Sequence, residues 1–186
     1  PGGGLYNDYG TVVITECAIT ENTIQYSEGT GSAVYTVNGD SEVSQLTMTK
    51  TVVARNAGPE FADAVRVGDG SNASVVIDRC TIVDNTGYSL RTPSSQMAVL
   101  ISNTIFYNTS NVEADHIHDY ENCVNISYSV VQNRFASGTN ILDVYPVFVD
   151  PNGGDYSLAP VSPCIDAGDP ESPRDPDGSR RSEERR

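Results

Sequence analysis

The stretch Cys80–Asn85 reads CTIVDN, and the chain repeats it in outline four more times: CAITEN from Cys17, TVVARN from Thr51, NTIFYN from Asn103 and YSVVQN from Tyr128. Every copy closes on Asn. The closing residues Asn22, Asn56, Asn85, Asn108 and Asn133 lie 34, 29, 23 and 25 positions apart. A second anchor precedes each copy. GGGLY carries Leu5, SAVYT Val34, DAVRV Val65, YSLRT Leu90 and DHIHD Ile117, at steps of 29, 31, 25 and 27. Between the two anchors lies a third alternating segment: VVI at 12–14, LTM at 46–48, VVI at 75–77 and AVL at 98–100, blurred in the fifth copy around Val124 and Ile126.

One unit therefore holds three short segments of period two. Strands this short cannot bury an apolar row alone, so they stack on copies of themselves. Parity supplies the geometry. Ile14 and Cys17 are an odd step apart, so the chain must turn a corner for both to face one core. The same odd step separates Met48 from Thr51, Ile77 from Cys80 and Leu100 from Asn103. Three strands with recurring corners predict an all-β parallel β-helix of about five coils, on the order of 24 Å long at ~4.8 Å per coil. A β-sandwich would place turn signals more often, and the LxxLxL of leucine-rich repeats is absent. The five Asn are expected at sharp corners, in the left-handed conformation that Asn tolerates, with their amides bonded in a ladder along the axis.

Composition limits the partners. The formal charge of −14 argues against nucleic acid and anionic membranes. Lys50 is the only lysine, and five of the ten arginines fall in the last 13 residues. No window holds eighteen apolar residues, so no membrane-spanning helix is expected. The chain opens PGGGL without an initiator Met, which reads as a piece of a longer precursor whose upstream coils would be partners of the first one.

With GGGLYN and VVITECAITEN in place, the chain resembles the right-handed parallel β-helix repeat proteins of the pectin-lyase-like superfamily. PVFVDPNGGDYSLAPVSPCIDAGDP (Pro146–Pro170) and the following DPDGSRR resemble the closing segment of large bacterial extracellular members, many of which carry a surface anchor. Those proteins usually continue into one more short strand, whereas this chain runs into SEERR. The resemblance implies right-handedness, agreeing with the handedness rule for parallel crossovers. It also implies an extracellular or cell-surface location. It leads to a β-helix over residues 1–168, closed by 134–168, with a charged, disordered tail over 169–186. The superfamily holds lyases and hydrolases as well as adhesins, so the resemblance alone does not make an enzyme.

The residue after each first anchor should face outward: Tyr6, Tyr35, Arg66, Arg91 and His118. Stacked, they form one external stripe, the single cationic track of an acidic protein. Aromatic faces suit sugar rings, and guanidinium suits uronate carboxylates. In DHIHD, His116 and His118 are expected on one outward face, with Asp115 or Asp119 as a third metal ligand. DPNGGD, with Asp150 and Asp155, partly resembles a Ca²⁺ loop but lacks its full spacing and distal Glu, and reads first as a turn. No cofactor is expected, and Ca²⁺ is the one such a loop would suit. Cys17 and Cys80 are expected buried at equivalent positions ~9–10 Å apart, beyond disulfide reach. Cys123 and Cys164 could meet near the C-terminal end. NAS from Asn72, NTS from Asn108 and NIS from Asn125 are glycosylation sequons. No coil stacks a catalytic acid pair. The expected function is a non-catalytic secreted or surface scaffold of adhesin type, binding polysaccharide or cell-surface glycan along the stripe. The alternative is a fragment of a polysaccharide lyase or glycoside hydrolase acting on acidic glycans. Ice binding needs a flat Thr ladder, and the outward row of the middle strand, taken as Val13, Thr47, Val76 and Val99, does not supply one.

Overall fold

The computed structural model describes residues 3–25, 31–37, 43–59, 62–68, 73–92, 97–108, 116–133, 135 and 137–172. The first coil comprises β1 (Leu5–Asp8), β2 (Gly10–Thr15) and β3 (Ala18–Thr20). The second comprises β4 (Gly31–Val37), β5 (Ser44–Thr49) and β6 (Val52–Ala54), and the third β7 (Asp63–Val67), β8 (Ala73–Asp78) and β9 (Thr81–Val83). The fourth holds β10 (Leu90–Thr92), β11 (Ala98–Ser102) and β12 (Ile105–Tyr107), and the fifth β13 (Ile117–Asp119), β14 (Val124–Ser127) and β15 (Val130–Val131). Every third strand pairs, all parallel, giving three five-stranded sheets around one core. The fold is a right-handed parallel β-helix of five coils.

Inward apolar rows fill the interior. Leu5, Val34, Val65, Leu90 and Ile117 stack in register on the first sheet. On the second, Val12, Leu46, Val75, Val99 and Val124 stack, and beside them Ile14, Met48, Ile77, Ile101 and Ile126. On the third, Ile19, Val53, Ile82, Phe106 and Val131 stack. Side chains from all four rows form one cluster. Each fully buried member contributes about 1.5–3 kcal/mol relative to exposure.

The fourth coil corrects the expected parity. Val99 and Ile101 face inward, while Ala98 and Leu100 are exposed. The outward middle row is therefore Val13, Thr47, Val76, Leu100 and Asn125, and Val99 is not part of it. Pairing with β8 decides this, because Met97–Ile101 is apolar at every position. The hexapeptide alignment shifts as well. Thr104 and Ser129, not Asn103 and Tyr128, occupy the place of Cys80: the amide of Ile105 bonds Cys80 O, and that of Val130 bonds Thr104 O.

The corner between second and third strands has one construction throughout. Glu16, Lys50, Arg79, Asn103 and Tyr128 each adopt a left-handed φ of 47–54°. The next residue points inward and donates its side-chain hydrogen to the carbonyl two positions back. Thr51 Oγ1 to Thr49 O is 3.0 Å, Thr104 Oγ1 to Ser102 O is 2.8 Å and Ser129 Oγ to Ser127 O is 2.8 Å. Cys17 and Cys80 make the equivalent sulfur contacts at 3.2 and 3.5 Å. Cys80 is buried, but Cys17 is exposed, because among the described residues no coil stacks beyond the first. All four cysteines are free thiols, Cys123 and Cys164 included.

The next corner carries the amide ladder. Asn22 N and Nδ2 donate to Asn56 Oδ1 at 3.1 and 2.8 Å. Asn56 N and Nδ2 donate to Asn85 Oδ1, both at 2.9 Å, and Asn85 N donates to Asn108 Oδ1 at 3.0 Å. Contrary to the expected conformation, these Asn are not left-handed. The preceding residues Glu21, Arg55 and Asp84 are, at φ 60, 55 and 53°. That frees the amide to turn inward. Asn133 takes the left-handed position itself (φ 65°), is exposed, and donates its backbone N–H to Asp143 Oδ1 instead of joining the ladder.

The closing region does two jobs. Residues 137–142, with Phe135, add a partial sixth winding, bridging Ser127 to Thr139 and Val130 to Leu142, with Phe135 and Ile141 packed against the end of the core. The chain then folds back along the outside of the third sheet. The antiparallel hairpin β16 (Phe148–Asp150) and β17 (Asp155–Leu158) and the following Cys164 cover Ala54, Val83, Ile105 and Val130 in a second cluster. Gly154 (φ 87°) lies hard against the Arg55 guanidinium, leaving no room for a Cβ. Tyr156 Oη donates to Asp84 Oδ2 at 2.9 Å, and burial together with that carboxylate pushes its pKa up. Tyr156→Phe is expected to lower stability by about 1 kcal/mol, read from the urea midpoint at an unchanged slope. Asp169 N donates to Asn103 Oδ1 at 2.7 Å, and Asn103 Nδ2 reaches Ser172 Oγ at 3.4 Å. The first four residues of the expected disordered tail are therefore tied to the fourth coil. Residues 173–186 lie outside the described residues.

Candidate functional site

Parallel register brings Tyr6, Tyr35, Arg66, Arg91 and His118 into one row on the outer face of the first sheet. The row arises because each follows an inward anchor on a strand of period two. At ~4.8 Å per rung it extends roughly 19 Å. Tyr6 and Tyr35 pack with ring centroids 5.5 Å apart at 48°, and Tyr6 is 47% exposed.

Next along the row, Asp63 opens β7 and is fully buried. Its Oδ2 accepts from Arg91 Nε at 2.7 Å and Arg66 Nη1 at 3.2 Å, so one carboxylate clamps two rungs. Burial pushes the Asp63 carboxyl above the usual range, against the opposing pull of the Arg91 and then the Arg66 guanidinium. The Arg66 and Arg91 side chains are only 19% and 11% exposed. The expected open cationic track is thus corrected to a half-buried triad with one net positive charge, since a carboxylate has to be present where two guanidiniums are packed away from water. Asp63 stands three residues before Arg66, a spacing visible in the sequence. Its bridge to Arg91, 28 residues on, requires the coil register. The same economy holds elsewhere: Lys50, Arg55 and Arg79, the other described cations, each pair with a carboxylate.

An aromatic stack continues the row. The Arg91 guanidinium lies 4.6 Å from the Tyr88 ring centroid, Tyr88 is 4.7 Å from the His118 ring, and Tyr120 stacks on His118 at 4.2 Å and 24°. Tyr120 is 59% exposed, so the stack ends in an open ring face. Neither Tyr88 nor Tyr120 is in the predicted stripe. Both lie just outside a short strand, where period-two reasoning does not reach.

The metal expectations meet a different geometry. His116 is 1% exposed and does not share an open face with His118, because it sits in the turn before β13, where its carbonyl accepts the Ser89 and Leu90 amides. Asp119 is spent on the turn after β13: its Oδ1 accepts from Cys123 N at 3.0 Å and its Oδ2 from Val124 N at 3.0 Å. Asp115 lies outside the described residues. In DPNGGD, Asp150 Oδ1 caps Gly153 N at 3.0 Å. Asp155 Oδ1 accepts Ser157 N at 2.9 Å, and the Ser157 hydroxyl, then this amide, hold its carboxyl below the usual range. Among the described residues no three His, Cys, Asp or Glu side chains are grouped to hold a metal. Of the sequons, Asn108 is buried in the ladder, Asn125 is exposed on β14, and Asn72 lies outside the described residues.

Comparison with family models, curated proteins and solved structures finds no match.

Proposed function

We propose that this chain is a secreted or cell-surface β-helix of the pectin-lyase-like kind, acting as a non-catalytic scaffold that holds carbohydrate along its first sheet. The observation that carries this reading is the single outer row in which open tyrosine faces (Tyr6 at one end, Tyr120 at the other) flank a guanidinium pair. Rings stack on sugar faces, and the net positive charge at Arg66 and Arg91 suits a uronate carboxylate. Of the carboxylates near the row, Asp63 lies beneath two guanidiniums and Asp119 in turn amides, while Asp8 is exposed beside Tyr6. A glycosidase needs two carboxyls facing its substrate, so this commitment supports binding over turnover.

The test is a panel of uronate and neutral polysaccharides, with and without Ca²⁺, scored for binding and for new unsaturated or reducing ends. Binding without turnover is expected. Tyr120→Ala should weaken it about tenfold, the equivalent of about 1.4 kcal/mol for one stacked ring. Turnover that disappears in Arg91→Ala would replace the scaffold reading with the lyase or hydrolase one. Affinity unchanged in Tyr6→Ala and Tyr120→Ala would remove the stripe as the site.

A further inference from the structure

Charge is unevenly placed along the first-sheet row. At one end Asp8 is exposed at the close of β1, near enough to Tyr6 that burial and then this carboxylate push the phenol's pKa up. The next rung, Tyr35, is neutral. At the centre two guanidiniums share the Asp63 carboxylate, which leaves one net positive charge. Arg66 commits only Nη1 to Asp63, at 3.2 Å, and no described group bonds its Nη2. At the far end His118 and Tyr120 stack, with Asp119 held in the turn amides and Glu121 exposed directly after Tyr120. The order is negative, neutral, positive, neutral, negative over ~19 Å.

We infer, resting on the carbohydrate reading above, that the row selects a mostly neutral polysaccharide carrying isolated carboxylates and discriminates against one with a carboxylate on every sugar. The centre matches a single carboxylate, because a guanidinium fork pairs with that group and one net positive charge is neutralised by one negative charge. A row of ~19 Å spans several sugars. In a fully charged chain the flanking carboxylates therefore fall against Asp8 and Glu121. The centre gives them little help there. Asp8 and Arg66 are two rungs, about 10 Å, apart along the axis, which is about one Debye length at 0.1 M salt. A like-charge contact about 4 Å long in water weakens binding about fivefold. The whole chain adds to this effect, since a polyanion must approach a protein of formal charge −14. A wholly neutral polysaccharide keeps the ring stacking but gains nothing from the centre. Asp8 and Glu121 thus act as specificity-determining residues for the site.

The test keeps one sugar backbone and varies only its charge. A polyuronate is used unesterified, mostly methyl-esterified so that the free carboxyls stand alone, and fully methyl-esterified, with divalent cations excluded. The mostly esterified form should bind at least about fivefold more tightly than either of the others. Added salt should narrow its lead over the unesterified form. Asp8→Asn combined with Glu121→Gln, both at exposed positions, should raise affinity for the unesterified form about fivefold or more. Arg66→Gln should bring the mostly esterified form down to the level of the fully esterified one. Affinity that climbs steadily with carboxyl density, or is equal for all three forms, overturns the selectivity; the carbohydrate reading survives that result if Tyr120→Ala still weakens binding. If none of the three forms binds, the selectivity is overturned as well, and the carbohydrate reading then stands or falls by the neutral polysaccharides of the wider panel.

Discussion

Asp63→Ala should cost about 3 kcal/mol, because it leaves two guanidiniums packed against a sheet with no counter-charge. The urea midpoint should fall at unchanged slope. The neutral triple variant Asp63→Ala with Arg66→Met and Arg91→Met should recover most of that loss, since a buried charge set can often be exchanged for apolar side chains of similar volume. A loss below about 0.5 kcal/mol in the single variant would show that water, not Asp63, compensates the arginines. The pH dependence has a definite sign. Burial holds the Asp63 carboxyl above its unfolded value, so the native state binds that proton more tightly. Its contribution is fully present below the unfolded carboxylate pKa and declines as pH rises through the elevated folded one. The stability of the native chain relative to Asp63→Asn should therefore fall as pH rises through that window. Asp155 works in the opposite direction: its carboxyl is held down, and its contribution is lost as pH falls.

Asn85→Ala should cost roughly 3–5 kcal/mol. Its Oδ1 accepts both N–H groups of Asn56, and its Nδ2 donates to Val53 O and Val83 O, each at 2.9 Å. Removal strands the buried Asn56 backbone N–H and takes one partner each from Asn56 Nδ2, Val53 O and Val83 O, at about 1 kcal/mol for each bond lost. The same change at half-buried Asn22 should cost about 1 kcal/mol, and Asn133→Gly, outside the ladder at positive φ, less than about 0.5. Thermal midpoints measured across the series would check the gradient. Equal costs at Asn22 and Asn85 would mean the corner turn, not the ladder, is what Asn supplies.

The repeat made the architecture legible. Leu5, Val34, Val65, Leu90 and Ile117, chosen by spacing, are true register partners, each followed by a large outward residue on a short strand of period two. The reading failed where local pattern is degenerate. Met97–Ile101 is apolar throughout, so only the neighbouring strand could assign its parity. Apart from Asn103 and Asp84, the left-handed corners carry Glu, Lys, Arg and Tyr, residues with no preference for that conformation, so no consistent composition signal marks them. At the stripe, the five outward residues followed from parity. Asp63 under Arg91 and the Tyr88–His118–Tyr120 stack did not, since they depend on which turns land beside one another. His116 was misread because alternation was extended past the strand into a turn.

The strap on the third sheet has a consequence for how the molecule is made. Its hydrophobic partners Ala54, Val83, Ile105 and Val130 are translated well before Phe148, Tyr156, Leu158 and Cys164. Until those later residues emerge from the ribosome, one flank of the five-coil stack stands wet. Winding can proceed lap by lap from the first coil, but the greasy side closes only when Phe148–Cys164 arrive, so a nascent chain halted near residue 143 would be the form most in need of a chaperone.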